Sequence, residues 1–189
     1  MEVMEAIKTR RSIRRYKTTA IDTQTLEQVL EAARWAPSWK NTQCWRFIVV
    51  RDDNIKNKVA DTLIGDPELG GRNPGISAIR QAPVLIVACA KLGHSGYMEG
   101  KKATHKGDWW YMFDVALAMQ NLMLAAHSLG LGTVPLGLFN DTKAARILQL
   151  PQGFRVVAMT PLGYPDQEPK VRPRKELLEI VSYDSYGSQ

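Results

Sequence analysis

The chain has 189 residues, enough for one domain with a sizeable core, and its 44% apolar and 23% charged residues are ordinary for a soluble globular protein. The formal net charge of +6 is modest but gathered, with six cations in residues 8–17 and four in 170–175; this points to a local anion site and not to a general basic coat. Two cysteines and three histidines at unrelated spacings speak against a structural zinc site. No apolar run is long enough to span a bilayer, and the charged start lacks the apolar core of a secretory signal. The expectation is a soluble, cytoplasmic protein without membrane contact.

Residues 1–8 read as a short helix with Val3, Met4 and Ile7 on one side. Residues 9–16 alternate too sharply in charge for a core helix and read as extended chain. Asp22 or Thr23 caps a helix in which Leu26, Val29, Leu30 and Ala33 follow helical spacing, and Pro37 stops it. A strand is expected over 45–50, then a helix over 54–64 with Ile55, Val59 and Leu63 four residues apart. Residues 65–75 hold four glycines and two prolines and read as a loop without regular structure. The apolar run 84–90 has the pattern of a strand covered on both faces, with Cys89 as a core residue.

Residues 91–107 form a polar loop with four lysines and two histidines, either a cover for a pocket or mobile surface. Asp108 is then expected to cap the longest helix, which runs to 129 and is closed by Gly130. Met112, Phe113, Val115, Leu117, Met119, Leu122, Met123 and Leu124 make it apolar nearly all round. Such a helix belongs at the centre of a fold or in a subunit interface. A helix over 140–148, a strand over 155–162, a proline-rich extended arm over 163–174 and a last ordered segment over 176–181 follow. Residues 182–189 read as a frayed tail. No repeat or linker interrupts the chain, so residues 1–189 form a single α+β domain, a central mixed sheet wrapped by helices.

The familiar nucleotide signatures are missing: no G-x-G-x-x-G follows a strand, and the glycine loop lacks a G-K-[ST] ending. A bound phosphate must therefore be held by side chains. In extended chain Arg10, Ser12 and Arg14 project from one face, and two guanidinium forks with a hydroxyl suit a phosphate. Arg172-Pro173-Arg174 repeats the device, with proline keeping the backbone extended. The two pairs could converge on one dianion. A solvated basic strand, or a nucleic-acid-binding stripe over 10–17, is the alternative; the acidic neighbours Glu2, Glu5, Asp22, Glu27 and Glu31 speak against the latter.

Between the arginine pairs lies Ala36-Pro37-Ser38-Trp39-Lys40-Asn41-Thr42-Gln43-Cys44-Trp45-Arg46-Phe47. Together with Arg10-Arg11-Ser12-Ile13-Arg14, Leu129-Gly130-Leu131-Gly132-Thr133 and Pro161-Leu162-Gly163-Tyr164-Pro165, it resembles the nitroreductase family of FMN enzymes. That family carries R-R-S-x-R near the start, A-P-S-x-x-N-x-Q-P-W-x-F after the second helix and a closing K/R-x-R arm. The resemblance extends over about residues 3–181. It departs at Cys44, where the family has proline; the turn is relaxed and no expected flavin contact is lost.

The resemblance implies a nitroreductase-like fold in an intertwined homodimer with FMN at the subunit interface. Arg10, Ser12, Arg172 and Arg174 would bind the FMN phosphate, with Arg11 beside it and Arg14 at the N1/C2=O edge of the ring. Pro37, Ser38, Trp39 and Asn41 would contact the flavin from the other subunit. Pro135, Leu136 and Gly137 would pass over the ring with the Gly137 N–H near N5, which makes Arg14 and Gly137 the expected catalytic groups; an ordinary strand-end turn is the plainer reading of 135–137. NADH or NADPH would reduce the flavin, and a nitroaromatic, quinone or related small molecule would take the electrons in a second step. Reductive dehalogenation and flavin-consuming chemistry occur on the same fold. No metal or nucleic acid is required.

Overall fold

The computed structural model describes residues 1–188. Helix α1 (Val3–Thr9) leads into extended chain, and α2 (Thr23–Arg34) starts where the Asp22 carboxylate accepts the Thr25 N–H. Strand β1 (Trp45–Val50) is followed by α3 (Asp53–Ala60), α4 (Pro74–Gln81), β2 (Val84–Lys91) and the two-residue hairpin strands β3 (Tyr97–Met98) and β4 (Lys101–Lys102). Then come α5 (Trp110–Ser128), β5 (Gly132–Thr133), α6 (Asp141–Ile147), β6 (Phe154–Gly163) and α7 (Leu177–Ile180).

The main sheet has the order β1-β2-β6-β5, and each of its ladders is antiparallel. The parallel component of the expected mixed sheet is confined to one bridge, between Ser12 and Thr133. β2 runs through the centre and is buried from Val84 to Ala90. Its alternate residues serve two cores: Val84, Ile86, Ala88 and Ala90 pack on the side of α2 and α5, and Leu85, Val87 and Cys89 on the side of α3, α4 and α6. This is why the segment reads as an unbroken apolar run. Side chains such as Leu122 and Val115 on α5 are wholly buried, each stabilising the fold by roughly 1.5–3 kcal/mol.

Three local expectations change. The helix after Asp52 ends at Ala60, four residues early, because the Ile64 N–H turns away to the Leu138 carbonyl at 3.0 Å. The glycine-rich stretch contains a short 3-10 turn at Pro67–Leu69, and its end opens a helix: the Asn73 side chain caps α4 through the Gly75 N–H at 2.9 Å, with Pro74 at the first position. Asp108 does not cap α5. It lies in a 3-10 turn, Gly107–Trp109, accepts the Tyr97 hydroxyl at 2.5 Å and pairs with Lys102. α5 closes as expected at Gly130, whose φ of 77° lets the Leu131 N–H reach the Ala126 carbonyl at 2.8 Å.

Candidate active site

The arginine-rich segment owes its position to β5. The Ile13 N–H donates to the Thr133 carbonyl at 2.9 Å, and a side chain at Gly132 would lie 2.7 Å from Ile13 Cγ1. Glycine is thus needed for the segment to lie flat on the sheet edge. Farther along, the buried Tyr16 hydroxyl donates to the Ile13 carbonyl at 2.6 Å, the Lys17 N–H to the Tyr164 carbonyl at 2.9 Å, and the Asp166 N–H to the Arg15 carbonyl at 3.0 Å. The chain leaving β6 is therefore tied alongside residues 15–17 just before it becomes the proline-rich arm. That pairing carries Arg172 and Arg174 back to Arg10 and Ser12 across about 160 residues of sequence.

The result is a cleft of about 640 Å³. Lys8, Arg10, Arg11, Ser12 and Arg14 line one side, and Lys170, Arg172 and Arg174 the other, with no carboxylate in the lining. Arg11 is partly committed, since its Nη1 donates to the Lys8 and Arg10 carbonyls at 2.7 and 2.9 Å and so caps the end of α1. Arg14 is exposed and free to turn into the cleft.

Arg10 is the cleft arginine whose charge its surroundings oppose. Burial, then the neighbouring charges of Arg11 and Arg174, pulls its pKa below the ordinary arginine value. Its Nη1 is shut off from water without a hydrogen-bond partner. A buried donor left unpaired costs roughly 1–3 kcal/mol, and like charges crowded together add to that cost. One phosphate dianion would answer both, which makes a phosphate-bearing cofactor a fit to these residues. Beside them the Thr9 hydroxyl lies 2.8 Å from His127 Nε2 at the end of α5. Burial and the charges of Arg10 and Arg11 hold that imidazole below its usual pKa.

Within the single chain, the remaining expected contacts lie elsewhere. Pro37, Ser38, Trp39 and Asn41 belong to a tight turn after α2 that does not line the cleft. The Gln43 N–H donates to Ser38 Oγ at 2.9 Å, and Lys40, Asn41 and Gln43 are all left-handed. Pro135, Leu136 and Gly137 follow β5. Leu136 forms a two-hydrogen-bond bridge with Met159, leaving Pro135 and Gly137 exposed on either side of it. Of the aromatic residues opening α5, Trp110 packs edge-on against Trp39 with centroids 5.1 Å apart, Tyr111 is buried and Trp109 is exposed.

One polar residue escaped the sequence reading. Asp114, on the apolar helix α5, is 1% exposed and accepts hydrogen bonds from the turn at 38–44 and from Ser95. The available signal was a lone carboxylate in an otherwise apolar helix, where burial demands partners.

The profile of the nitroreductase family matches residues 7–164. Over 176 residues the chain is 33% identical to a protein of Methanothermobacter thermautotrophicus provisionally named NADH dehydrogenase/NAD(P)H nitroreductase, an alignment covering 91% of this chain and 82% of that one. It is 30% identical to the FMN reductase [NAD(P)H] of Bacillus subtilis, over 100% of this chain and 76% of the relative. The crystal structure of a nitroreductase family protein from Clostridium novyi NT, 35% identical, covers 100% of this chain and 96% of its own, with a TM-score of 0.75. Profile, relatives and fold agree with the arginine cleft: the chain belongs to the nitroreductase family.

Proposed function

We propose that this chain is an FMN-dependent oxidoreductase that draws electrons from NADH or NADPH and passes them, in a second step, to a small-molecule acceptor. Nitroaromatics and quinones are the candidate acceptors. The observation that carries the reading is Arg10, half-buried beside the charges of Arg11 and Arg174 in the wall of the basic cleft, with an unpartnered Nη1. The names of the relatives, FMN reductase and NAD(P)H nitroreductase, support FMN as the bearer of the phosphate. Bound FMN supplies the electron-transfer chemistry between nicotinamide and acceptor.

The side chains provide position and charge. Arg10, Ser12, Arg172 and Arg174 would hold the phosphate, while Arg11 ties α1 to the turn that presents Arg10. Arg14, exposed beside the cleft, would serve the pyrimidine edge of the ring, where a cation would stabilise the reduced state more than the oxidised one, the difference that speeds reduction. The exposed backbone around Gly137, where no atom lies within 4 Å of a would-be Cβ, leaves room for a planar ring against its N–H. Pro37, Ser38, Trp39 and Asn41 complete the site from the second chain of an intertwined homodimer. Met112 and Phe113 on α5, with Leu177, Leu178 and Ile180 on α7, are the exposed apolar surface that such pairing would cover.

No helix among the described residues is long and apolar enough to cross a membrane, and a cytoplasmic location suits a nicotinamide-dependent enzyme. Arg10, Arg11 and Arg14 of the basic stripe line a concavity with Arg172 and Arg174 and are not laid out along a face, which disfavours a nucleic-acid partner. The purified protein is expected to be yellow, with flavin absorption that survives desalting, and to oxidise NADH or NADPH when 4-nitrobenzoate or menadione is supplied. A colourless protein that takes up no FMN would end this reading. Halide release from a halophenol in place of nitro or quinone reduction would move it to reductive dehalogenation on the same fold.

A further inference from the structure

Asp114 is an anomaly in α5. The helix is apolar on nearly every side, yet this carboxylate is 1% exposed, and no ion pair among the described residues includes it. A buried carboxylate without a cation is costly unless donors surround it. Here they come from two separate loops. The Trp39 backbone N–H lies 3.2 Å from Oδ1 and 3.1 Å from Oδ2, the Cys44 thiol 3.7 Å from Oδ2, and the Ser95 hydroxyl 2.6 Å from Oδ2. Cys44 stands where the resembling family has proline, so its thiol is a donor that proline could not supply. Burial and the adjacent carboxylate push that thiol up to about 12, which keeps its proton in place at neutral pH.

Both loops need such a hold. Lys40, Asn41 and Gln43 have φ of 43°, 55° and 45°, a left-handed geometry that costs non-glycine residues about 1–2 kcal/mol each. It persists only where surrounding contacts impose it. The other loop closes on itself at the neck: the Ala103 N–H donates to the Gly96 carbonyl at 2.9 Å, with Ser95, the residue bonded to Asp114, next in sequence. The Trp39 side chain links the two loops directly, donating from Nε1 to the Tyr97 carbonyl at 3.3 Å while its ring packs against Trp110.

We propose that Asp114 is a positioning residue that locks the 38–44 turn and the 95–107 loop into one unit, and so sets the shape of the acceptor pocket. The consequence for the pocket rests on the flavin reading, which places Trp39 and its neighbours against the ring.

The test uses the full-length protein and peptide-resolved hydrogen exchange, with Asp114→Asn and Ser95→Ala. An asparagine turns one acceptor oxygen into a donor, so Ser95 Oγ must reverse from donating to accepting, and the charge that strengthens the bonds from Trp39, Cys44 and Ser95 is gone. Exchange should quicken by roughly tenfold, the loss of about one charge-assisted hydrogen bond, in both 38–44 and 92–107 while β2 and β6 are unchanged. Ser95→Ala is the sharper variant, and it stands even if Asp114→Asn fails to fold. It touches only the second loop, yet the lock requires faster exchange in 38–44 as well. In the flavin-loaded protein the KM for 4-nitrobenzoate should rise several-fold in both variants, while turnover with ferricyanide, which needs no seat on the ring, stays near that of the parent. A response confined to 92–107, a uniform rise across all elements or an unchanged KM overturns the proposal. The exchange arm needs no bound flavin, so a colourless parent protein would remove the flavin reading while the coupling is still measured.

Discussion

The arginine cleft and the Asp114 junction are both polar places built against an apolar frame, and they are satisfied in opposite ways. At the junction one buried carboxylate takes donors from Trp39, Cys44 and Ser95, and the chain meets its own demand. In the cleft seven cations gather, and among the described residues no carboxylate lines the walls and Arg10 Nη1 has no partner. The first arrangement is closed on itself and the second is left open. A polar group that the fold leaves unpaired, next to charges of its own sign, marks where something from outside is expected.

The sharpest way to break this contrast is to empty the cleft. The double variant Arg10→Ala/Arg174→Ala should lose FMN, since each arginine contributes about 1.5–3 kcal/mol as a charge-assisted bond, or together on the order of a hundredfold or more in Kd. Its flavin-free melting temperature should not fall, because two crowded cations have been removed. Fluorescence titration with FMN and a thermal melt together check both halves; full loading after purification would undo the two-sided clamp.

Next comes the frame. Gly132→Ala places a methyl group 2.7–2.9 Å from Ile13, and overpacking of this kind costs roughly 1–3 kcal/mol. Because Ile13 lies between Ser12 and Arg14, the variant should lower both melting temperature and FMN affinity. Loss of stability with unchanged affinity would show that the segment need not lie flat on β5 to bind.

A smaller effect is expected at Arg14. Arg14→Gln should keep FMN bound, lower its midpoint potential by tens of millivolts and slow reduction by NADH or NADPH; about 30 mV corresponds to roughly 1.4 kcal/mol for two electrons. Spectroelectrochemistry decides. If the potential holds and affinity falls, Arg14 is one more member of the phosphate clamp.

The smallest effect is in pH dependence. His127 has its pKa lowered from 6.5 in the folded chain by burial, Arg10 and Arg11, against a weaker opposite pull from Glu5. The unfolded chain therefore binds this proton first as pH falls, and stability drops from about 6.5 downward, while above that value the group contributes no pH dependence. Thermal melts of flavin-free protein between pH 7.5 and 5.5 should fall more steeply for the parent than for His127→Gln. Saturating phosphate should flatten the parent's curve by offsetting the arginine charges.

Much of this was legible in the residues because the signals are local. β1 runs over 45–50 as its β-rich composition predicts, Asp22 caps α2, and the unbroken run at 84–90 is a strand with both faces covered. Each is decided by a periodicity or a capping side chain within a few residues. Likewise, two arginines spaced two apart in extended chain present their forks together wherever that chain goes. α4 was missed because the glycines and prolines before it outweighed its own cap, Asn73 with Pro74 behind it.

What only the tertiary structure decided is where these pieces meet and what their burial does to them. The bonds from residues 15–17 to residues 164–166, and from Ile13 to Thr133, swing the arm's arginines onto Arg10, and no spacing in the sequence contains that closure. Asp108 looks like a cap until Tyr97 and Lys102 claim it. Asp114 looks like a flaw in an apolar helix until two loops bring it donors. In each case a polar group chose its partner after the backbone had folded, because the cost of an unpaired polar group is set by burial, and burial is a property of the whole fold.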